Sequence, residues 1–74
     1  PTAALAVREV ESVLNLIRQL RADGIAVILI SHRLNDVMEV TDRIVVLRQG
    51  RIEADLVTKK TQMKEVVEYI VGAH

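Results

Sequence analysis

The sequence predicts an α/β fold from three observations. Apolar residues recur at helical spacing near both ends of the chain. Between them lies the unbroken apolar run "AVILI" at residues 26–30, which is typical of a strand covered on both faces of a parallel sheet. The stretch "RIVVLRQGRIEADLV", residues 43–57, predicts two strands around a Gln49-Gly50 turn. The expected order is helix, strand, helix, hairpin, helix.

The first element is expected to be a helix from about Ala4 to Arg21. Gly24 stands where a helix stop is expected. The residues that share its apolar stripe are Val10, Val13, Leu14, Ile17 and Leu20.

The predicted strand at residues 26–30 runs into Ser31 and His32, and a short helix through Leu34, Val37 and Met38 follows. A strand covered on both faces needs parallel neighbours, and the chain offers only this strand and a hairpin. Residues 1–74 are therefore expected to form a single partial domain.

The last element is expected to be a helix that Thr61 caps and Gly72 ends. Its apolar stripe consists of Met63, Val66, Val67, Ile70 and Val71.

Composition excludes several classes of function. Ten basic and ten acidic residues cancel, and Tyr69 is the one aromatic residue, so nothing favours nucleic-acid binding. The absence of cysteine suits a reducing cytoplasm. The sequence has no metal-ligand spacing, no glycine-rich phosphate loop and no apolar stretch of the roughly 20 residues that span a membrane.

His32 is the main candidate for chemistry. In open α/β sheets, ligands lie beyond the carboxyl ends of the strands, which is where His32 is expected. An imidazole there can donate a hydrogen bond to an anionic oxygen or relay a proton. The alternative from position alone is a histidine that only caps the strand or the next helix, and Ser31 is interpreted as structural.

Three segments in register carry a family resemblance. The run "PTAAL" at residues 1–5, the strand end "VILISHRL" and the segment "DRIVVLRQGRI" together resemble the C-terminal part of an ATP-binding cassette (ABC) transporter ATPase subunit. In this resemblance "PTAAL" matches the D-loop and His32 matches the switch histidine of the H-loop. The segment "SHRLNDVMEVTDRI" is most similar to the branch of the family that energises importers of sugars, monosaccharides especially.

The resemblance implies a C-terminal fragment of a P-loop NTPase domain. It implies that His32 hydrogen-bonds the γ-phosphate and the attacking water of ATP, held with Mg²⁺ by the parent subunit. Expected partners are a second ATPase subunit and the membrane permease subunits, at the cytoplasmic face of the cell membrane. The D-loop at the dimer interface is expected to comprise Pro1, Thr2, Ala3, Ala4 and Leu5.

Two departures from the family pattern bear on activity. Ala6 stands where the D-loop aspartate is usual, and the Walker A loop, signature motif and Walker B strand are expected upstream of Pro1. The chain alone is therefore expected to bind no nucleotide, to be inactive as an ATPase and to self-associate. Two alternatives stay open: a stand-alone α/β interaction module with no nucleotide chemistry, and another strand-end histidine enzyme acting on a phosphorylated small molecule.

Overall fold

The structure is a computed structural model that describes the backbone of residues 2–73 and the side chains of residues 6–73. Within that range it has three helices and a two-stranded sheet, so the α/β prediction is confirmed. The chain divides into two units, Pro1–Ile30 and Ser31–His74, and the single domain stays a prediction. The elements are α1 (Thr2–Ala22), α2 (Leu34–Val40), β1 (Arg43–Arg48), β2 (Arg51–Val57), a 3-10 turn (Thr58–Lys60) and α3 (Met63–Val71).

The first unit is built around α1, whose apolar stripe is only partly buried. Leu14 and Ile17 are buried, whereas Val13 and Leu16, on the flanks of the stripe, are about half exposed. The helix ends as predicted: Gly24 adopts a φ of 78°, and the N–H of Ile25 donates to the carbonyl of Leu20 at 3.0 Å. This left-handed residue closes the last turn and turns the chain away from the helix axis.

The predicted strand at residues 26–30 is wrong. The structure assigns no strand there, and these residues form no backbone hydrogen bond with the rest of the described chain. Ile28 and Ile30 are 91% and 93% exposed. A strand exists only through its hydrogen-bonded neighbour, so an apolar run without a partner stays an extended segment.

The second unit contains the hairpin that the sequence predicts. β1 and β2 pair antiparallel, with Val46 opposite Ala54 and Arg48 opposite Arg51. Gln49 and Gly50 have φ values of 52° and 75°, which makes the two-residue turn type I′, the form that matches the twist of the strands. The register shifts by one residue after Val46, which produces a β-bulge at Glu53.

The core of the second unit lies on one face of this hairpin, where α3 packs across both strands. Val66 of α3 is 1% exposed. Every second residue of β1 points to this face because strand side chains alternate. The buried apolar residues of the unit are Val37, Val40, Ile44, Val46, Ala54 and Val66.

Thr61 was expected to cap α3, and this prediction is wrong. The N-cap residue is Gln62, whose N–H donates to Glu65 Oε1 at 3.2 Å. The Thr61 hydroxyl instead donates to the carbonyl oxygen of Val57 at 2.8 Å and closes the 3-10 turn. The N-cap position thus lies one residue later than the sequence predicts, and Thr61 is not the residue that caps α3.

The hairpin carries one well-formed ion pair on its exposed face. Arg43 binds Asp55 in a bidentate manner, with Nε 2.7 Å from Oδ1 and Nη2 2.5 Å from Oδ2. The hydrogen bond from Arg43 lowers the pKa of Asp55 below its ordinary value. The pair therefore contributes stability above the ordinary aspartate pKa and loses it as the pH falls through the lowered pKa. Because both groups are exposed, solvent screening keeps this contribution small.

Gly72 ends α3 as predicted, and it also lies under an arginine. Its φ is 72°, and a Cβ built on it would lie 2.5 Å from Nη1 of Arg48. The Arg48 guanidinium therefore lies against the C-terminal end of α3, where a positive charge is favourable.

We expect Gly72→Ala to lower the free energy of unfolding more than Gly50→Ala does. Both residues have φ near 75°, so each variant should lose about 1–2 kcal/mol from backbone strain. A Cβ at Gly50 meets no atom within 4 Å, whereas one at Gly72 displaces Arg48 and costs about 0.3–1 kcal/mol more. Urea denaturation followed by circular dichroism measures both variants. In an Arg48→Met background the difference should disappear; if it persists, Arg48 is not its cause.

Candidate functional site

His32 lies in a bend between the apolar segment 25–30 and α2, and its side chain is exposed. A local hydrogen bond shapes this bend: the N–H of Arg33 donates to Ser31 Oγ at 3.0 Å. This hydrogen bond supports the interpretation of Ser31 as a structural residue. The N-cap position of α2 belongs to Arg33, so His32 does not cap that helix. The imidazole is left facing solvent.

The helix that follows His32, α2, is held in place by its apolar side. Val37 and Val40 of α2 are buried, and α2 packs on α3. At its N-terminal end, Arg33 Nε lies 2.7 Å from Asp36 Oδ2 in an ion pair across the first turn. His32 therefore lies just before a helix whose apolar side is buried in the core.

The sequence analysis missed a hydroxyl pair at the other end of α2. Thr41 Oγ1 lies 2.7 Å from the carbonyl oxygen of Val37 and 3.0 Å from Thr58 Oγ1. Thr58 is 6% exposed, so one side of this partly buried polar contact between the end of α2 and the end of β2 is inside the protein. The two threonines are 17 residues apart, and no local pattern in the sequence signals their contact.

The predicted D-loop is described only in part. Pro1 lies outside the described residues, and Thr2 to Leu5 form the first turn of α1 with side chains that are likewise outside them. The D-loop and His32 fall in different units, so their mutual position stays a prediction. Ala6, which stands at the usual place of the D-loop aspartate, is exposed.

Neither a cluster of metal ligands nor a membrane-spanning helix is found among the described residues. In residues 6–73 no three histidine, cysteine, aspartate or glutamate side chains lie close enough to hold a metal ion. No helix within the described range is long and apolar enough to cross a membrane.

Curated relatives match almost the whole chain. The ribose import ATP-binding protein RbsA of Chelativorans sp. is 42% identical over 72 residues, which are 97% of this chain and 14% of that protein. The chain resembles a sugar-importer ATPase. The proteins of the same name from Yersinia pestis and Geobacillus kaustophilus are 43% and 40% identical over the same share of this chain. The resemblance to ABC ATPase subunits of sugar importers that the sequence predicts is therefore confirmed.

The match covers a small part of each relative. The chain spans only 14% of the Yersinia protein and 15% of the Geobacillus protein. No family model matches the chain, and no solved structure matches it. The resemblance to ABC ATPase subunits therefore rests on sequence identity with one segment of each relative.

Proposed function

We propose that this chain is the part of an ABC sugar-importer ATPase subunit that carries the switch histidine, His32, and the D-loop, Pro1 to Leu5. The observation that carries the proposal is the match to ribose import ATP-binding proteins over 97% of the chain. In this proposal the chain is the C-terminal fragment of a P-loop NTPase domain.

The exposed imidazole of His32 suits the role of a hydrogen-bond donor to the γ-phosphate of ATP and to the attacking water. Phosphoryl transfer depends mostly on positioning and on stabilising charge in the transition state, so a donor on a fixed element is what the reaction requires. In support of this role, His32 lies two residues before α2, whose Val37 and Val40 are buried.

The remaining nucleotide contacts belong to the rest of the subunit. The sequence contains no glycine-rich loop to surround the phosphates, and the described residues contain no group of metal ligands. Mg²⁺ would therefore be held by the nucleotide and by residues outside this chain. The proposed solute is a sugar, and the proposed partners are a second ATPase subunit and the permease, at the cytoplasmic face of the cell membrane.

A segment exchange tests the proposal. Replacing the matching 72 residues of the Yersinia pestis ribose import ATP-binding protein with those of this chain should leave a chimera that hydrolyses ATP, measured by phosphate release. The same protein with the segment deleted should not hydrolyse ATP, because the histidine donor and part of the sheet are missing. The isolated chain should also release no phosphate, because nothing in it surrounds the phosphates.

A chimera that folds, judged by its circular dichroism and thermal transition, but hydrolyses no ATP would contradict the proposal. That result would favour the alternative of a stand-alone α/β interaction module without nucleotide chemistry.

A further inference from the structure

A short chain of hydrogen bonds fixes the C-terminal end of α2. Thr41 Oγ1 lies within hydrogen-bonding distance of both the Val37 carbonyl oxygen and Thr58 Oγ1. A hydroxyl has one proton, and a carbonyl oxygen only accepts, so Thr41 donates to Val37 and Thr58 donates to Thr41. The chain of donors therefore starts at Thr58 and ends on a backbone carbonyl of α2.

The backbone of Thr58 is held by two hydrogen bonds besides the one its hydroxyl makes. Its N–H donates to the carbonyl oxygen of Asp42 at 3.1 Å, and its own carbonyl accepts the N–H of Thr61 at 3.1 Å. With 6% of its surface exposed, its hydroxyl needs a partner inside the protein, and Thr41 supplies it. Thr58 therefore has a fixed position at the end of β2. Its hydroxyl makes a directional hydrogen bond to Thr41 at the end of α2.

Apolar burial also holds α2, and it is less directional than a hydrogen bond. The helix has seven residues, and Arg33 at its N-cap makes no side-chain capping hydrogen bond. Val37 and Val40 hold it through apolar burial, which depends on area and tolerates small shifts. A hydrogen bond fixes distance and angle more narrowly. Because His32 lies two residues before α2, a shift of α2 moves His32.

We propose that Thr58 is a positioning residue: through Thr41 it fixes the placement of α2 and thereby directs His32 at the terminal phosphate of the nucleotide. This inference rests on the proposed function. Thr58 acts on the reaction only through His32, and a displacement of about 1 Å is enough to weaken a donor that acts in the transition state.

The test is Thr58→Val in the full-length ATPase subunit that contains this segment. Valine keeps the shape of the side chain and removes the donor. We expect kcat for ATP hydrolysis to fall roughly three- to tenfold, the loss of one neutral hydrogen bond, with KM for ATP unchanged. Thr58→Ser keeps the donor and should restore kcat.

Thr61→Val is the matched control. It makes the same change at the residue directly after the 3-10 turn, but its lost hydrogen bond goes to Val57 and not toward α2. Its kcat should equal that of the unmodified subunit. If Thr58→Val does not fold, Thr41→Val breaks the same chain of donors from the other side and should give the same loss of kcat.

A double variant separates positioning from general stability. In a His32→Ala background, Thr58→Val should cause no further loss of the residual kcat, because its effect passes through the missing imidazole. A full additional loss, an equal loss in Thr61→Val, or an unchanged kcat in a folded Thr58→Val subunit would each overturn the inference. An unchanged kcat in His32→Ala would overturn the proposed function itself.

Discussion

His32→Ala in the full-length subunit should lower kcat for ATP hydrolysis by roughly 30- to 1,000-fold. This is the loss expected when one preorganised hydrogen-bond donor, with a value of about 2–4 kcal/mol, is removed from a transition state. The dissociation constant for ATP should change little, because the other phosphate contacts are supplied by the rest of the subunit. Nucleotide titration and steady-state phosphate release on the same preparation measure the two quantities separately.

Two further variants sharpen this prediction. His32→Gln keeps a hydrogen-bond donor on a similar side chain and should retain more activity than His32→Ala. Asn35→Ala changes a neighbouring exposed residue on α2 and should leave kcat unchanged. Equal losses in affinity and in kcat for His32→Ala would show that the imidazole is only a binding contact.

The isolated chain should self-associate through the extended segment 25–30. Ile28 and Ile30 are almost fully exposed there, and the backbone of residues 26–30 pairs with nothing else in the described range. An apolar segment with free N–H and C=O groups is a template for pairing with another chain. Size exclusion coupled to light scattering, over a tenfold range of concentration, should show a mass that rises with concentration.

Ile28→Lys should shift this equilibrium to the monomer, because a charge on the segment opposes pairing. Leu47→Lys is the matched control: Leu47 is 69% exposed on the outer face of the hairpin, and its replacement should leave association unchanged. A monomer at every concentration for the unmodified chain would contradict the prediction. If the two lysine substitutions change self-association equally, the contact between chains does not lie in segment 25–30.

Elements set by local chemistry could be predicted from the sequence. The Gln49-Gly50 turn, the end of α1 at Gly24 and the end of α3 at Gly72 each contain a glycine at positive φ, and all three are confirmed. The position of His32 just before a short helix follows equally from local pattern.

Features that depend on distant partners could not be predicted. The apolar run at residues 26–30 has the composition of a strand, but a strand also needs a neighbour, which no local pattern supplies. Thr61 has the residue type of a helix cap, yet α3 begins one residue later than predicted, with Gln62 at its N-cap. The contact of Thr41 with Thr58 joins residues whose separation is set by the whole hairpin.

The two-residue turn of the hairpin affects the order of events during synthesis. Strands that meet across so short a loop can pair within about 1–10 μs, whereas a ribosome adds roughly 5–20 residues per second. β1 and β2 can therefore meet well before α3 has been translated. A lone two-stranded hairpin is only marginally stable in water, so it opens and closes until α3 arrives. During that interval, on the order of a second, Ile44 and Val46 are exposed to chaperones and to other nascent chains. They become buried when α3, which carries Val66, packs on the hairpin.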